Sequence, residues 1–165
     1  MLLGSTANHG SPQDHEQIII QLMLQDRYSE AYHLLSSERE MPTSSLYNLA
    51  RCLHWSGNYQ GALSKLESIR LSSQLTDGND LNTDSDHSAM KQKQRQFHDH
   101  LHGISEAYVK LFPSLVHDAV IRLKTDCWLA LENYPKVIAV ATPIAHKGYK
   151  NITDALNLAK TANDK

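Results

Sequence analysis

The stretch Ser44–Leu71, SSLYNLARCLHWSGNYQGALSKLESIRL, constrains the fold more than any other part of the chain. Leu46, Leu49, Ala50 and Leu53 recur at i, i+3, i+4 and i+7, one stripe of a 3.6-residue helix. Gly57-Asn58 ends that helix, because both residues tolerate the left-handed conformation of a helix C-terminus. A second helix carries Ala62, Leu66 and Ile69 on one face, with Tyr59 wedged at its start. Small Ala50 and Ala62 let the two backbones approach closely; larger side chains there would each cost about 1–3 kcal/mol in overpacking. One hairpin cannot bury its own stripes, so neighbours must stack on it.

Further copies are legible on both sides. A first helix is expected from Pro12 to about Gln25, with Ile18, Ile19, Leu22 and Met23 on its buried face. Asp26-Arg27 makes the turn, and a helix from Tyr28 carries Ala31, Leu34 and Leu35. Aligning Tyr28 with Tyr59 sets Ala31 on Ala62, Leu35 on Leu66, Leu22 on Leu53 and Ile18 on Leu49. A third copy is looser. A helix from about Ser114 to Glu132 is followed by Asn133-Tyr134, with Val137, Ala141 and Ile144 in the positions of Ala62, Leu66 and Ile69. Here Lys124 takes an expected core position, Glu132 replaces the turn glycine, and Pro143 is expected to kink or end the second helix near Thr142. Ile152, Ala155, Leu156 and Ala159 then mark a last, capping helix whose outer face is polar.

Between the second and third copies the text changes. Residues 72–88 are polar, acidic and nearly free of large apolar side chains, as expected of a mobile, disordered loop. From Ser88 to Phe112, the 4, 3, 4, 3 spacing of Phe97, Leu101, Ile104, Tyr108 and Leu111 predicts one long helix stopped by Pro113. Gly103 within it is a mild cost or a point of close approach.

The 165 residues amount to a single helical domain over 12–165, preceded by a flexible N-terminus at 1–11. A net charge of −2 gives no whole-molecule pull toward nucleic acid or membrane. Cys52 and Cys127 make neither a disulfide framework nor a CxxC site. No basic leader is present at the N-terminus, and no apolar run approaches the ~20 residues of a membrane span. An intracellular location, cytoplasmic or nuclear, is the expectation.

The order large, large, small, large, turn, aromatic, small, large, apolar over Leu46–Ile69 resembles the tetratricopeptide repeat (TPR) superfamily. The resemblance covers 43–71 best, and 13–42 and 118–147 more loosely; related α-solenoids built on other helical pairs fit as well. It implies an all-α, right-handed TPR-like superhelix of antiparallel hairpins, about seven helices in all. Its concave face, lined by the first helix of each hairpin, would hold a peptide or a partner's helix. On the best copy that face would present Ser44, Tyr47, Asn48, Arg51, His54 and Trp55, and Tyr, Arg and Trp are enriched at binding hot spots. Trp55 fits either a partner contact or a contact with the neighbouring repeat. Arg51 fits either a carboxylate grip or a solvated surface position. The first copy offers Gln13, Glu16, Gln17 and Ile20, and the third offers Ala119, Arg122, Leu123 and Asp126. Of the residues with which chaperone-binding members grip a terminal carboxylate, only Asn48 has a counterpart. Helix 88–112 fits either in the stack or across the groove, where it would make the module self-inhibited.

Other chemistry finds little support. Within FHDHLH, only His98 and His102 would share a helical face at metal-ligating i, i+4 spacing, and an HExxH arrangement is absent. No GxSxG, P-loop or GxGxxG motif occurs. Lys91, Lys93 and Arg95 form a basic cluster too short for nucleic acid. The expectation is a non-catalytic adaptor or complex subunit without a cofactor, binding a protein partner at Tyr47, Asn48, Arg51, His54, Trp55 and Arg122. The alternative is a self-associating segment of a larger homo- or hetero-oligomeric assembly, with metal chemistry at His98 and His102 a distant third.

Overall fold

Ser11 opens the first helix: its hydroxyl accepts the Asp14 amide at 3.3 Å while the Asp14 carboxylate accepts the Ser11 amide at 3.0 Å. The computed structural model describes residues 10–71 and 84–163. Among them the chain is all-α, with nine α-helices: α1 Pro12–Leu24, α2 Tyr28–Ser36, α3 Thr43–Trp55, α4 Tyr59–Glu67, α5 Ser85–Gln94, α6 Glu106–Leu111, α7 Pro113–Ala130, α8 Tyr134–Ala141 and α9 Lys150–Asn163. No helix among the described residues is long and apolar enough to cross a membrane. The expected flexible residues 1–9, and residues 72–83 of the expected acidic loop, lie outside the described residues.

Three helix pairs share one turn. After α1, α3 and α7 a single residue takes positive φ: Asp26 at 57°, Gly57 at 83° and Glu132 at 55°. The next amide then reaches back into the last turn of its helix, Arg27 to the Leu22 carbonyl at 2.8 Å, Asn58 to Leu53 at 2.9 Å and Asn133 to Trp128 at 3.0 Å. This is the Schellman arrangement, which satisfies carbonyls that a helix end would otherwise leave orphaned. Arg27, Asn58 and Asn133 serve at once as N-caps of the following helices, and the Asn side chains accept Gly61 and Lys136 amides. A tyrosine begins each second helix.

Each helix of these pairs packs on the next in the order α1, α2, α3, α4, α7, α8, α9. Ala31, Ala62 and Val137 stand at the same position of α2, α4 and α8, and all are fully buried. The central core joins Tyr47, Ala50, Ala62, Leu66, Val116, Leu123 and Cys127. The chain leaves α8 at Ala141 through a 3-10 turn, Thr142–Lys147, because Pro143 cannot continue the α-helical ladder. Ile152, Ala155, Leu156 and Ala159 bury the inner face of α9. On the edges, Ile18 and Leu115 are exposed although their spacing put them on buried faces.

The single helix expected over 88–112 does not form. Helix α5 begins earlier, at Ser85, because the Asp84 carboxylate accepts the His87 amide at 2.7 Å, so residues 85–88 are helix and not loop. It ends at Gln94, and a 3-10 turn at Asp99–Leu101 follows before α6 starts at Glu106 behind its Ser105 cap. Phe97 and Leu111, expected on the buried stripe, are 55% and 72% exposed, so that stripe does not exist as one face. The physical reason lies in what the intervening backbone bonds to.

Candidate functional site

Residues 95–105 cross α3 and α7, where side chains take the place of helical hydrogen bonds. Asn48 is 1% exposed; its amide nitrogen donates to the Ile104 carbonyl and its amide oxygen accepts the Ile104 amide, both at 2.8 Å. The Arg51 Nε donates to the Leu101 carbonyl at 2.7 Å. The Tyr47 hydroxyl donates to the His100 carbonyl, and burial pushes that hydroxyl well above the usual phenol range, keeping it a donor. On α7, Arg122 Nη2 donates to the Phe97 carbonyl at 2.7 Å; at the start of α9, the Lys150 amide donates to the Arg95 carbonyl at 2.9 Å. The carbonyls of Arg95, Phe97, His100, Leu101 and Ile104 are thus all held from outside the segment. Gly103 makes the approach feasible, since a Cβ there would meet the Met23 sulfur at 3.1 Å.

The segment's polar side chains are matched as well. Arg122 Nη1 pairs with Asp99 at 2.6 Å, while its Nε donates to Asn151 Oδ1 at 2.9 Å. The Tyr149 ring lies 4.4 Å beneath that guanidinium. His100 is 2% exposed, and its Nε2 stands 2.6 Å from Asp126 Oδ2. Asn151 donates to the other Asp126 oxygen at 3.0 Å. Burial lowers the His100 pKa, and Asp126 opposes this without reversing it. Burial would raise Asp126, but the hydrogen bond from His100 and the other attractions around it hold the carboxyl below its usual range. The pair is therefore a neutral imidazole donating Nε2–H to a carboxylate, and His100 Nδ1 is buried without a hydrogen-bond partner.

A second knot joins the helix starts. Glu16 Oε1 accepts the Ser44 hydroxyl at 2.8 Å and the Glu106 amide at 2.7 Å, and Glu106 in return accepts the Ser44 amide at 3.2 Å. The Glu106 carboxylate thereby caps α3, whose own N-cap residue, Pro42, has no side-chain donor or acceptor to offer.

Of the residues singled out from the sequence, Tyr47, Asn48, Arg51 and Arg122 are brought together around this segment and buried by it. His54 is half-buried, its Nδ1 3.1 Å from Arg51 Nη1. Trp55 is 55% exposed and stacks on Tyr28 at 4.7 Å, a contact between the α2 and α3 ends. Arg51 also donates to the Tyr28 hydroxyl at 3.2 Å, so it is a buried bridge rather than a solvated surface residue. His98 and His102 do not share a helix: they flank the 3-10 turn, so their i, i+4 spacing no longer places them on one face. Among the described residues no group of three His, Cys, Asp or Glu side chains is placed to hold a metal ion. Residues missed from the sequence are Glu106, His100 and Asn151, whose partners lie far away along the chain.

No family model, no curated protein and no solved structure matches this chain.

Proposed function

We propose that the protein is a non-catalytic interaction module, a TPR-like adaptor or complex subunit that binds a protein partner along the face formed by α1, α3 and α7. The observation carrying this reading is that Asn48 of α3 and Arg122 of α7 converge on the main chain of the segment between α5 and α6, while Glu16 of α1 takes the first amide of α6 where that segment ends. A face that takes main-chain carbonyls and amides by side-chain hydrogen bonds has the chemistry a peptide groove needs. The repeated turn and the fully buried Ala31, Ala62 and Val137 at one position of α2, α4 and α8 support a TPR-like superhelix. In this reading His54 and Trp55 form the open end of the groove.

The test is purification of the full chain from its native extract, comparing wild type with Trp55→Glu, a change at an exposed position. A stoichiometric partner lost from the variant is the expected result. A partner retained by the variant overturns the concave-face assignment.

The alternative, a self-associating segment of a larger assembly, draws on Leu111, Phe112 and Leu115, which are 72%, 48% and 38% exposed at the α6–α7 corner. Light scattering coupled to size exclusion separates the two. A concentration-independent monomer removes self-association and leaves a hetero-complex.

A further inference from the structure

The segment at 97–104 is held by side-chain hydrogen bonds to its main chain, with Ile104 entering the central core and Leu101 packed against it. The helical stack closes without it, because α3 packs on α4 and α4 packs directly on α7. Its side chains contribute unevenly: Phe97, His98 and His102 face solvent, whereas His100 and Ile104 are buried. What holds it is recognition of main chain by Asn48, Arg51, Tyr47 and Arg122, together with two side-chain readouts, Asp99 by Arg122 and His100 by Asp126.

We propose that residues 97–104 are an internal occupant of a peptide groove, displaced when the groove takes an external peptide of the same chemistry. That ligand is a segment that folds into a 3-10 turn at its start, with the pattern Asp-His-apolar-x-Gly-apolar, the order in which the strap, residues 97–104, presents Asp99, His100, Leu101, Gly103 and Ile104. This rests on the interaction reading above and narrows it to one class of partner. Each part of the pattern has a physical reason. The acid answers the buried Arg122 guanidinium, and the imidazole donates to Asp126. A side chain at the glycine would press on the Met23 sulfur, 3.1 Å from a Cβ placed there. The final apolar residue fills the place of Ile104 in the central core. Because the strap is tethered at both ends, its local concentration is high and a free peptide meets a mostly closed groove. The apparent affinity of an external peptide is then reduced by the fraction of molecules with the strap detached.

The probe is a fluorescein-labelled synthetic peptide of residues 96–106, titrated with the full chain and read by anisotropy. Wild type is compared with Asp99→Ser/His100→Ser, which weakens the strap and leaves the groove side chains untouched. Binding at least about tenfold tighter to the double variant is expected. Arg122→Lys in the same background is expected to lose that gain. A double variant that keeps its helical circular dichroism yet binds no tighter than wild type overturns the proposal.

Hydrogen exchange on the unmodified chain provides a reading that needs no variant. The Ile104 amide is expected to exchange at least about 100-fold faster than the amides of Leu123 and Ala50, because the strap would open while the stack stays folded. Equal protection would make the strap a permanent part of the core and sink the proposal. In that case a native partner still lost on Trp55→Glu would leave the interaction reading standing. Peptide binding by the double variant with no partner captured from the extract would leave the groove standing without it.

Discussion

Asn48 and Ile104 lie 56 residues apart in sequence, yet one side-chain amide satisfies both main-chain groups of the other residue at 2.8 Å each. The geometry reproduces what a neighbouring strand would offer, in a protein whose described residues contain no strand. It also explains why no helix runs through Ile104, since the groups a helix would pair internally there are paired from α3 instead. Replacing Asn48 by Ala would strand one buried donor and one buried acceptor, each costing about 1–3 kcal/mol. The Asn48→Ala chain is expected to lose roughly 2–4 kcal/mol, read as a lower urea midpoint. Asn48→Asp sets a carboxylate against the Ile104 carbonyl and is expected to be no less damaging.

The three shared turns predict a stabilising change. Glu132 sits at φ 55°, where a side chain is strained, while Gly57 occupies the matching site at 83° with open space where a Cβ would stand. Glu132→Gly is expected to gain about 1 kcal/mol, the usual penalty for a non-glycine residue in this conformation. The thermal midpoint should rise by about 2–4 °C. Gly57→Ala is expected to fall by a similar amount. If Glu132→Gly lowers the midpoint, the turn's conformation at that position is not the one described.

The turns were readable because their signals are local: a tyrosine with a small or medium apolar residue three positions later recurs at Tyr28, Tyr59 and Tyr134. The strap was not readable because its determinants are remote. Glu16 and Glu106 are 90 residues apart, and Arg122 and Phe97 are 25 apart. Meanwhile the spacing of Phe97, Leu101, Ile104, Tyr108 and Leu111 imitates a helical stripe, and only Ile104 among them is buried outright. The local marks of the break were Gly103 and the Ser105 cap, two residues that a periodicity argument discounts. Helical position assigned Tyr47, Asn48, Arg51 and Arg122 to a common face; that the chain itself covers this face is a tertiary fact.

The His100–Asp126 pair sets a pH dependence whose sign follows from burial. His100 has a lowered pKa in the fold, so the native state resists the proton that the unfolded chain accepts near pH 6.5. Stability is full above that value and is lost as pH falls through the lower folded pKa. Asp126, also lowered, adds a second loss below the ordinary carboxyl range, near pH 4. The urea midpoint is therefore expected to hold from about pH 8 to 7 and to decline as the pH falls below about 6.5. His100→Gln keeps a donor for Asp126 without the titration and is expected to flatten that decline. An unchanged slope in His100→Gln would assign the dependence to another group.

Cys52 and Cys127 occupy the same position of α3 and α7, one helix residue before Leu53 and Trp128, and both are buried. Burial pushes their thiols up, to about 11 for Cys52 and about 12 for Cys127. At about pH 8 neither is ionised, and the reactive species of a cysteine is the thiolate. The native chain is expected to leave both thiols unmodified by Ellman's reagent over minutes, whereas denatured chain titrates both. The two sites also differ in their surroundings: Cys52 lies in the cluster shared by α1, α2 and α3, and Cys127 in the central core with Val116 and Leu123. If the strap detaches while the stack holds, Cys127 stays protected, because most of that core, Ala62, Leu66, Val116 and Leu123 among it, comes from the stacked helices and only Ile104 from the strap's buried residues. Rapid native labelling of Cys127 would instead mean that α7 loosens together with the strap.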